Sequence, residues 1–287
     1  MILLLSCLCL TLTFASRFHG LETKGVLDTD IPENFKLNST IPSDKVSLLY
    51  SPPAIKTSKL LVLIKGRITN YDIRQQIRQQ YQNKTEISLR FIVGTSKNRA
   101  ILGNINHENK LHDDIIIGDF DDTYENLVFK SLTGLSYVAQ HGDKAAYTIF
   151  MDDDVDLNLE ALTDLISHKS ERPSKKTPYI LCPWKNPKQA RVTRRGPWAV
   201  PESVYSETHW PSYCGGACYL MNTQAVESLN ESVRYMKHDV NVAVEDAFIT
   251  GILRKRSGID VHTTTPLCKH NVKEDSVTGQ FLKNKQL

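Results

Sequence analysis

From residue 60 onward, short apolar runs alternate with segments whose apolar positions recur every three to four residues. Leu60-Leu61-Val62-Leu63-Ile64 is continuously apolar, which predicts a strand buried on both faces. Tyr71 to Tyr81, rich in Gln and Arg, predicts a helix. Leu89 to Val93 predicts a second strand, closed by Gly94, and Asn98 to Leu111 a less periodic helix. Ile115-Ile116-Ile117 is a third strand. Thr123 to about Gln140 is a helix, with Asp122-Thr123-Tyr124-Glu125 as a capping box at its start. Tyr147 to Met151 is a fourth strand that runs straight into Asp152-Asp153-Asp154, and Leu157 to His168 is a further helix. Strands alternating with helices predict an α/β domain with a mostly parallel sheet.

The second half is less regular. Tyr179-Ile180-Leu181 is a short strand, and Asn186 to Tyr213 a long loop with Pro, Arg and Trp, a length usual for functional segments. The cations of this region, Lys185, Lys188, Arg191, Arg194 and Arg195, read as a solvated or lid-like face. Thr223 to Tyr235 and Glu245 to Arg256 predict helices, the second ended by Gly258.

The start of the chain speaks to compartment. Ile2 to Ala15 is apolar or small and uncharged, shorter than the about 20 residues a spanning helix needs. It fits a signal peptide with a small-residue cleavage site at Thr13-Phe14-Ala15, although a basic flank is absent; a short signal anchor is the alternative. The organisation expected is therefore 1–15 leader or anchor, 16–58 stem or irregular lead-in, and 59–287 catalytic domain. Sequons at Asn38, Asn83 and Asn230 agree with a lumenal chain. Outside the leader stand Cys182, Cys214, Cys218 and Cys268, enough for two disulfides in an oxidising lumen, with three possible pairings. Cys214-x-x-x-Cys218 supplies only half of a zinc site.

Composition narrows the classes. A 40% hydrophobic chain of 287 residues can bury a sizeable core, so full disorder is excluded. The net charge of +3 gives no field for nucleic acid.

Three aspartates directly after a buried strand repel one another and lose solvation. A divalent cation held by oxygen ligands, Mg2+ or Mn2+, relieves this and is typically shared with substrate phosphates. The carboxyl edge of the sheet is also where α/β folds place ligands. A solvated acidic turn is the alternative. Arg74, Arg78 and Lys130 are cations suited to a diphosphate. Trp198, Tyr205 and Trp210 can stack on sugar faces or fill the core. Gly215 and Gly216 permit close backbone approach to a ligand.

Four motifs in order carry a family resemblance. They are Asp119-Phe120-Asp121-Asp122-Thr123-Tyr124-Glu125-Asn126-Leu127 with Lys130, then the aspartate triplet, then Pro211-Ser212-Tyr213-Cys214-Gly215-Gly216-Ala217, then Glu245-Asp246-Ala247-Phe248-Ile249-Thr250-Gly251. With Arg74 and Ile77-Arg78 they make the chain, over about residues 60 to 282, resemble glycosyltransferase family thirty-one, the beta-1,3-galactosyltransferases and their relatives. The resemblance implies a GT-A-type nucleotide-sugar-binding fold and an inverting, metal-dependent hexosyltransferase. Such an enzyme takes a UDP-sugar donor, galactose foremost, and a glycan acceptor on glycoprotein or glycolipid, in the Golgi lumen. N-acetylglucosaminyl or N-acetylgalactosaminyl transfer, and a turnover-deficient carbohydrate-binding protein, are the rival readings; a phosphohydrolase built on the aspartates is a third.

By position, the resemblance makes Asp246 the catalytic base and Asp154 and His270 the metal ligands. It puts Asp152, Asp153, Asp122, Asn126 and Lys130 near the nucleotide, and Glu245 in the Glu-Asp pair beside the acceptor. The chain also departs from the family. Phe150 stands where the family has Lys two residues before the triplet, and Cys214-Gly215-Gly216-Ala217 replaces Cys-Ser-Gly-Gly.

Overall fold

The structure, a computed structural model, describes residues 46–54, 59–141, 145–167, 177–184, 190–196, 198–234 and 244–270. The expected leader, most of the lead-in, Asn38, His168, Lys185, Lys188 and Tyr235 lie outside these residues.

The β-strands are β1 (Leu48–Tyr50), β2 (Leu60–Lys65), β3 (Ile87–Thr95), β4 (Ile115–Asp121), β5 (Tyr147–Asp152), β6 (Val155–Leu157), β7 (Tyr179–Cys182), β8 (Cys218–Asn222), β9 (Asp260–Thr263) and β10 (Cys268–His270). The helices are α1 (Tyr71–Tyr81), α2 (Arg99–His112), α3 (Leu127–His141), α4 (Leu159–Ser167) and α5 (Thr223–Arg234), followed by a π-helix (Ala247–Leu253) that continues into the turn α6 (Arg254–Arg256). Among the described residues, eight strands form one sheet in the order β1-β4-β3-β2-β5-β8-β7-β9, and β10 pairs with β6. β4, β3, β2 and β5 are parallel; β8 runs antiparallel to β5 and β7, and β1 antiparallel to β4. The expected α/β class with a mostly parallel sheet is what the chain adopts.

The apolar run of β2 has its physical reason in this order. β2 lies between β3 and β5, and all of Leu60 to Ile64 have no exposed surface. Leu60, Val62 and Ile64 pack toward α1, α2 and α4, whereas Leu61 and Leu63 pack toward α3, α5 and the π-helix. Chain order reverses across β2: β3 and β4 lie on one side, β5 on the other. The carboxyl ends of β2 and β5 thus form a topological switch point, where open α/β sheets leave a crevice. Lys65 and Asp152 stand there in register.

Several expectations need correction. The lead-in contributes an edge strand, because Leu48–Tyr50 pairs with β4. Gly94 lies inside β3. The capping box does not form: the Asp122 carboxylate accepts the Gly94 N–H (2.7 Å) and pairs with Lys130, and a 3₁₀ turn, Tyr124–Asn126, leads into α3. The late helix is π-helical over Ala247–Leu253. Thr250 Oγ1 donates to the Asp246 carbonyl (2.7 Å) and accepts the Cys214 N–H (2.9 Å), so a side chain is inserted in the backbone ladder. Gly258 follows this segment with φ 63°, as its cap role requires.

Arg74 and Arg78 do not reach the crevice. Arg74 is 1% exposed and donates to both oxygens of Glu108 (2.9 and 2.6 Å). Its remaining donors hold the Arg67 and Ile68 carbonyls at 2.8 and 3.1 Å, fixing the loop after β2. Arg78 pairs with Glu108 and, through two bonds, with Asp114. Burial disfavours the Glu108 carboxylate, but the two guanidinium groups hold its pKa below the ordinary value. Glu108→Leu would leave buried guanidinium charge unpaired. It should cost about 3–5 kcal/mol in urea unfolding, whereas Lys59→Leu, which breaks an exposed pair with Glu86, should cost under about 1 kcal/mol.

Candidate active site in a two-part cleft

Two cavities open beyond the carboxyl ends of the parallel strands. The first, of 680 Å³, is bounded by the loop Gly66–Thr69, by Thr95 to Lys97, by Asp121 to Tyr124, by Lys130 and by Asp152, Asp153 and Asp154. The second, of 360 Å³, is bounded by Arg191, Thr193, Trp198, Trp210, Tyr213, Gly216, Ala217, Val244, Glu245 and Asp246. Tyr124, Leu127 and Asp152 border both. The aspartate triplet and Asp246 therefore face one continuous cleft.

The walls of the first cavity are braced by charge. Lys130 reaches the Gly66 carbonyl (2.5 Å) and Asp122 (3.0 Å). Burial lowers the Lys130 pKa, against the attraction of Asp122. Asn70 donates to Asp153 (2.7 Å), and Gly66 lies so close that a Cβ there would sit 2.5 Å from an Asp153 oxygen. Burial raises the Asp153 pKa. Asp152 is pushed up to about 6 by burial, with Lys65 opposing and Glu245 and Asp154 adding to the rise.

Among the described residues no group of three or more His, Cys, Asp or Glu side chains is assembled to hold a metal ion. Asp152 and Asp154 offer carboxylate oxygens at the cleft, and β10 places His270 opposite Val155, one residue past Asp154. The Asp152 carboxylate, which burial foremost holds above its ordinary range, would be relieved by a cation bound beside it. The zinc reading of Cys214 and Cys218 falls, because the cysteines pair as Cys182–Cys214 and Cys218–Cys268.

The second cavity is built around Asp246. Its Oδ1 accepts the Ala247 N–H (2.8 Å) and its Oδ2 the Gly216 N–H (3.0 Å). Burial foremost, then Glu245, raises its pKa to about 6. Gly216 is tightly packed here: an added Cβ would sit 3.2 Å from Asp246 Cβ and 3.3 Å from a Glu245 oxygen, so these neighbours would have to give way slightly. Glu245 is 3% exposed. It takes Lys65 on one oxygen, and on the other Ser131 and the Tyr219 hydroxyl (2.8 Å). Trp198 donates from Nε1 to the Tyr124 hydroxyl at 2.9 Å, joining the walls of the two cavities.

Of the other residues expected at the site, three lie elsewhere. Asn126 donates to the Asp121 carbonyl and Tyr205 stacks on Trp210 at 4.5 Å, while the Gly215 N–H binds the Trp184 carbonyl; none of the three borders either of these two cavities. Trp210 does border the second cavity, with Tyr205 behind it. Arg194, read as part of a solvated or lid-like face, is exposed and also ties the carbonyls of Val200, Tyr205 and Glu207 together. Asn83 is exposed, as a sequon requires, whereas Asn230 is half-buried on α5. Sequence reasoning missed Lys65, Asn70, Ser131, Tyr213 and Tyr219. A lysine ending an otherwise apolar strand was a signal for Lys65, and the Pro211–Ala217 motif one for Tyr213.

The family model described as Galactosyltransferase matches residues 72–265. Beta-1,3-galactosyltransferase 1 of Homo sapiens is 27% identical over 203 residues, which are 68% of this chain and 60% of that protein. The same protein of Mus musculus gives the same figures. Beta-1,3-galactosyltransferase 5 of Gorilla gorilla gorilla is 27% identical over 211 residues, 70% of this chain and 66% of that protein. The chain thus spans about 60% of the length of the first of these relatives. Among solved structures, the mannosyltransferase PcManGT from Pyrobaculum calidifontis, in complex with GDP-Man and Mn2+, overlays with a TM-score of 0.41 at 11% identity, covering 84% of this chain and 64% of that one. S. aureus TarS overlays at 0.41 and 16% identity, covering 76% and 37%. Both overlays are too loose to bear on the site.

The Cys182–Cys214 bridge closes the loop that carries Trp198 and Trp210, 32 residues apart in sequence. Cys182→Ala with Cys214→Ala should lower stability by about 2–4 kcal/mol. Hydrogen exchange should accelerate in residues 190–213 while β2 and β3 keep their protection. Uniform acceleration through the sheet would contradict this.

Proposed function

The chain belongs to the galactosyltransferase family, whose model spans residues 72–265, and we propose that it is a metal-dependent inverting hexosyltransferase. It takes a UDP-sugar, galactose foremost, and forms a beta-1,3 linkage to a glycan acceptor of a glycoprotein or glycolipid. The carrying observation is the shared wall: Asp152 borders the triplet's cavity and the cavity of Asp246. A donor lying along the first cavity then presents its sugar to an acceptor in the second.

In this reading the UDP portion occupies the 680 Å³ cavity, with Lys130 and the backbone of Gly66–Thr69 along it. Asp154 and His270 hold the cation, Mn2+ or Mg2+, with Asp152 beside them. When bound, the cation offsets the negative charge that develops on departing UDP. Asp246 accepts the proton of the acceptor hydroxyl. A carboxylate has about four lone-pair sites, and among the described residues two backbone N–H groups occupy those of Asp246. The buried setting that raises its pKa to about 6 leaves it ionised at neutral pH yet more basic than an exposed aspartate. Trp198, Trp210 and Tyr213 supply aromatic faces for the acceptor sugar.

A lumenal compartment fits this reading. Two disulfides persist in oxidising surroundings, and the sequon at Asn83 is exposed. We assign the catalytic domain to the Golgi lumen, with residues 1–15 as anchor or cleaved leader. Among the described residues, no helix is long and apolar enough to cross a membrane.

The test is UDP release by the lumenal domain with Mn2+, a panel of UDP-sugars and a panel of acceptors. Acceptor-dependent release from UDP-galactose supports the reading. Release from UDP-N-acetylglucosamine or UDP-N-acetylgalactosamine alone changes the donor, and binding without release makes the chain a lectin. Asp246→Asn should lower kcat by about 10²–10⁴-fold while donor affinity stays within a few-fold; joint loss of donor binding would move Asp246 to the nucleotide site. The active form is deprotonated, so kcat should fall as pH drops below about 6, and a flat profile from pH 5 to 8 would contradict the role. Asp154→Ala should weaken UDP binding in Mn2+ and leave it unchanged in chelator, as read by calorimetry.

A further inference from the structure

None of the motifs that mark the cleft contains Lys65. Its side chain has no exposed surface, yet its ammonium meets oxygens from three separate elements. These are Asp152 Oδ1 at the end of β5 (3.3 Å), Glu245 Oε2 before the π-helix (3.2 Å) and the Gly216 carbonyl (3.0 Å). The ring of Tyr219 lies below it at 5.4 Å. Gly216 is the residue whose N–H donates to Asp246. Lys65 therefore holds the carbonyl of the residue whose amide holds the carboxylate.

Stability alone does not ask for such a lysine, because a buried ion pair is often matched or exceeded by apolar residues of the same volume. The neighbouring strand adds a second observation. Position 150, where the family resemblance leads one to expect a lysine, holds Phe150, which stacks on Tyr219 at 5.3 Å. β2 and β5 run in parallel register, Leu63 beside Phe150 and Lys65 beside Asp152. Leu63, Phe150 and Tyr219 belong to one core layer together with Ala247 and Phe248 of the π-helix. A cation at 150 and the cation at 65 thus enter the same layer, beneath the same Glu245.

We propose that Lys65 is a positioning residue for the transfer: from β2, in place of a lysine on β5, it locks Gly216 and thereby orients Asp246 against the donor-side Asp152. This rests on the transferase reading above. The charged and titratable groups facing Asp246 are Glu245 beside it, Lys65 from β2, Tyr213 from the segment before Cys214, and Tyr124, Asp152 and Arg191 across the second cavity. Lys65 is the cation that favours the ionised form of Asp246.

The experiment compares Lys65→Met, Lys65→Met with Phe150→Lys, and the wild type. Kinetics, thermal unfolding and a 13C-carboxyl NMR titration of Asp246 are read on each. Lys65→Met should lower kcat about a hundredfold, as expected for a displaced reacting group. The acid limb of kcat and the NMR midpoint of Asp246 should both move upward, since Glu245 keeps its Ser131 and Tyr219 donors. Returning the cation to β5 in the double variant should recover kcat to within about tenfold of wild type and bring the midpoint back. A folded Lys65→Met with unchanged midpoint, or a double variant that restores thermal stability without restoring turnover, would overturn the proposal. If Lys65→Met does not fold, Glu245→Gln is compared with Lys65→Met/Glu245→Gln, which buries no unpaired charge between them; an unchanged Asp246 midpoint across that pair overturns it equally. If the wild type transfers no sugar, the transferase reading fails, and the NMR midpoints still decide whether Lys65 acts on Asp246.

Discussion

A buried ammonium at the joint between two parallel strands organises the centre of this molecule. Removing an ammonium from water is costly, and it is tolerated only where oxygens replace the lost hydration. At Lys65 those oxygens come from the end of β5, from the glycine turn before β8 and from the start of the π-helix. Burial opposes the charged form, but the two carboxylates outweigh it and raise the Lys65 pKa. Elements distant in sequence are thereby drawn to one point, and the two cavities meet there.

The remaining ion-pair networks serve the same geometry from outside. Glu108, between Arg74 and Arg78, looks like a stability device, yet Arg74 also holds two carbonyls of the loop after β2. That loop is a wall of the first cavity. On the opposite side, Thr250 joins the π-helix to Cys214, so the helix that presents Asp246 is registered against the bridge to Cys182. Two walls of the cleft are thus held by buried contacts that lie outside the cavities.

Much of this was legible in the sequence. Strands buried on both faces announce themselves as unbroken apolar runs, which is why β2, β4 and β5 were placed correctly, and α1 has the bounds its pattern predicts. The aspartate triplet stood out because three charges in a row are improbable beside a core strand. β8, β9 and β10 were not legible, because they are only five, four and three residues long. Arg74 and Arg78 were misread because isolated cations suggest phosphate, and nothing local reveals Glu108 as partner, 34 residues on. Lys65 was overlooked for the converse reason. A lysine closing a strand looks like a solvated tip until a glutamate 180 residues later is seen to cover it.

Tyr124, Leu127 and Asp152 are common property of both cavities, and the Tyr124–Trp198 hydrogen bond crosses the seam between them. On the proposed transferase reading, a change of side chain at residue 124 or 127 alters the room in both cavities at once, so the two substrates' preferences would be coupled through this partition.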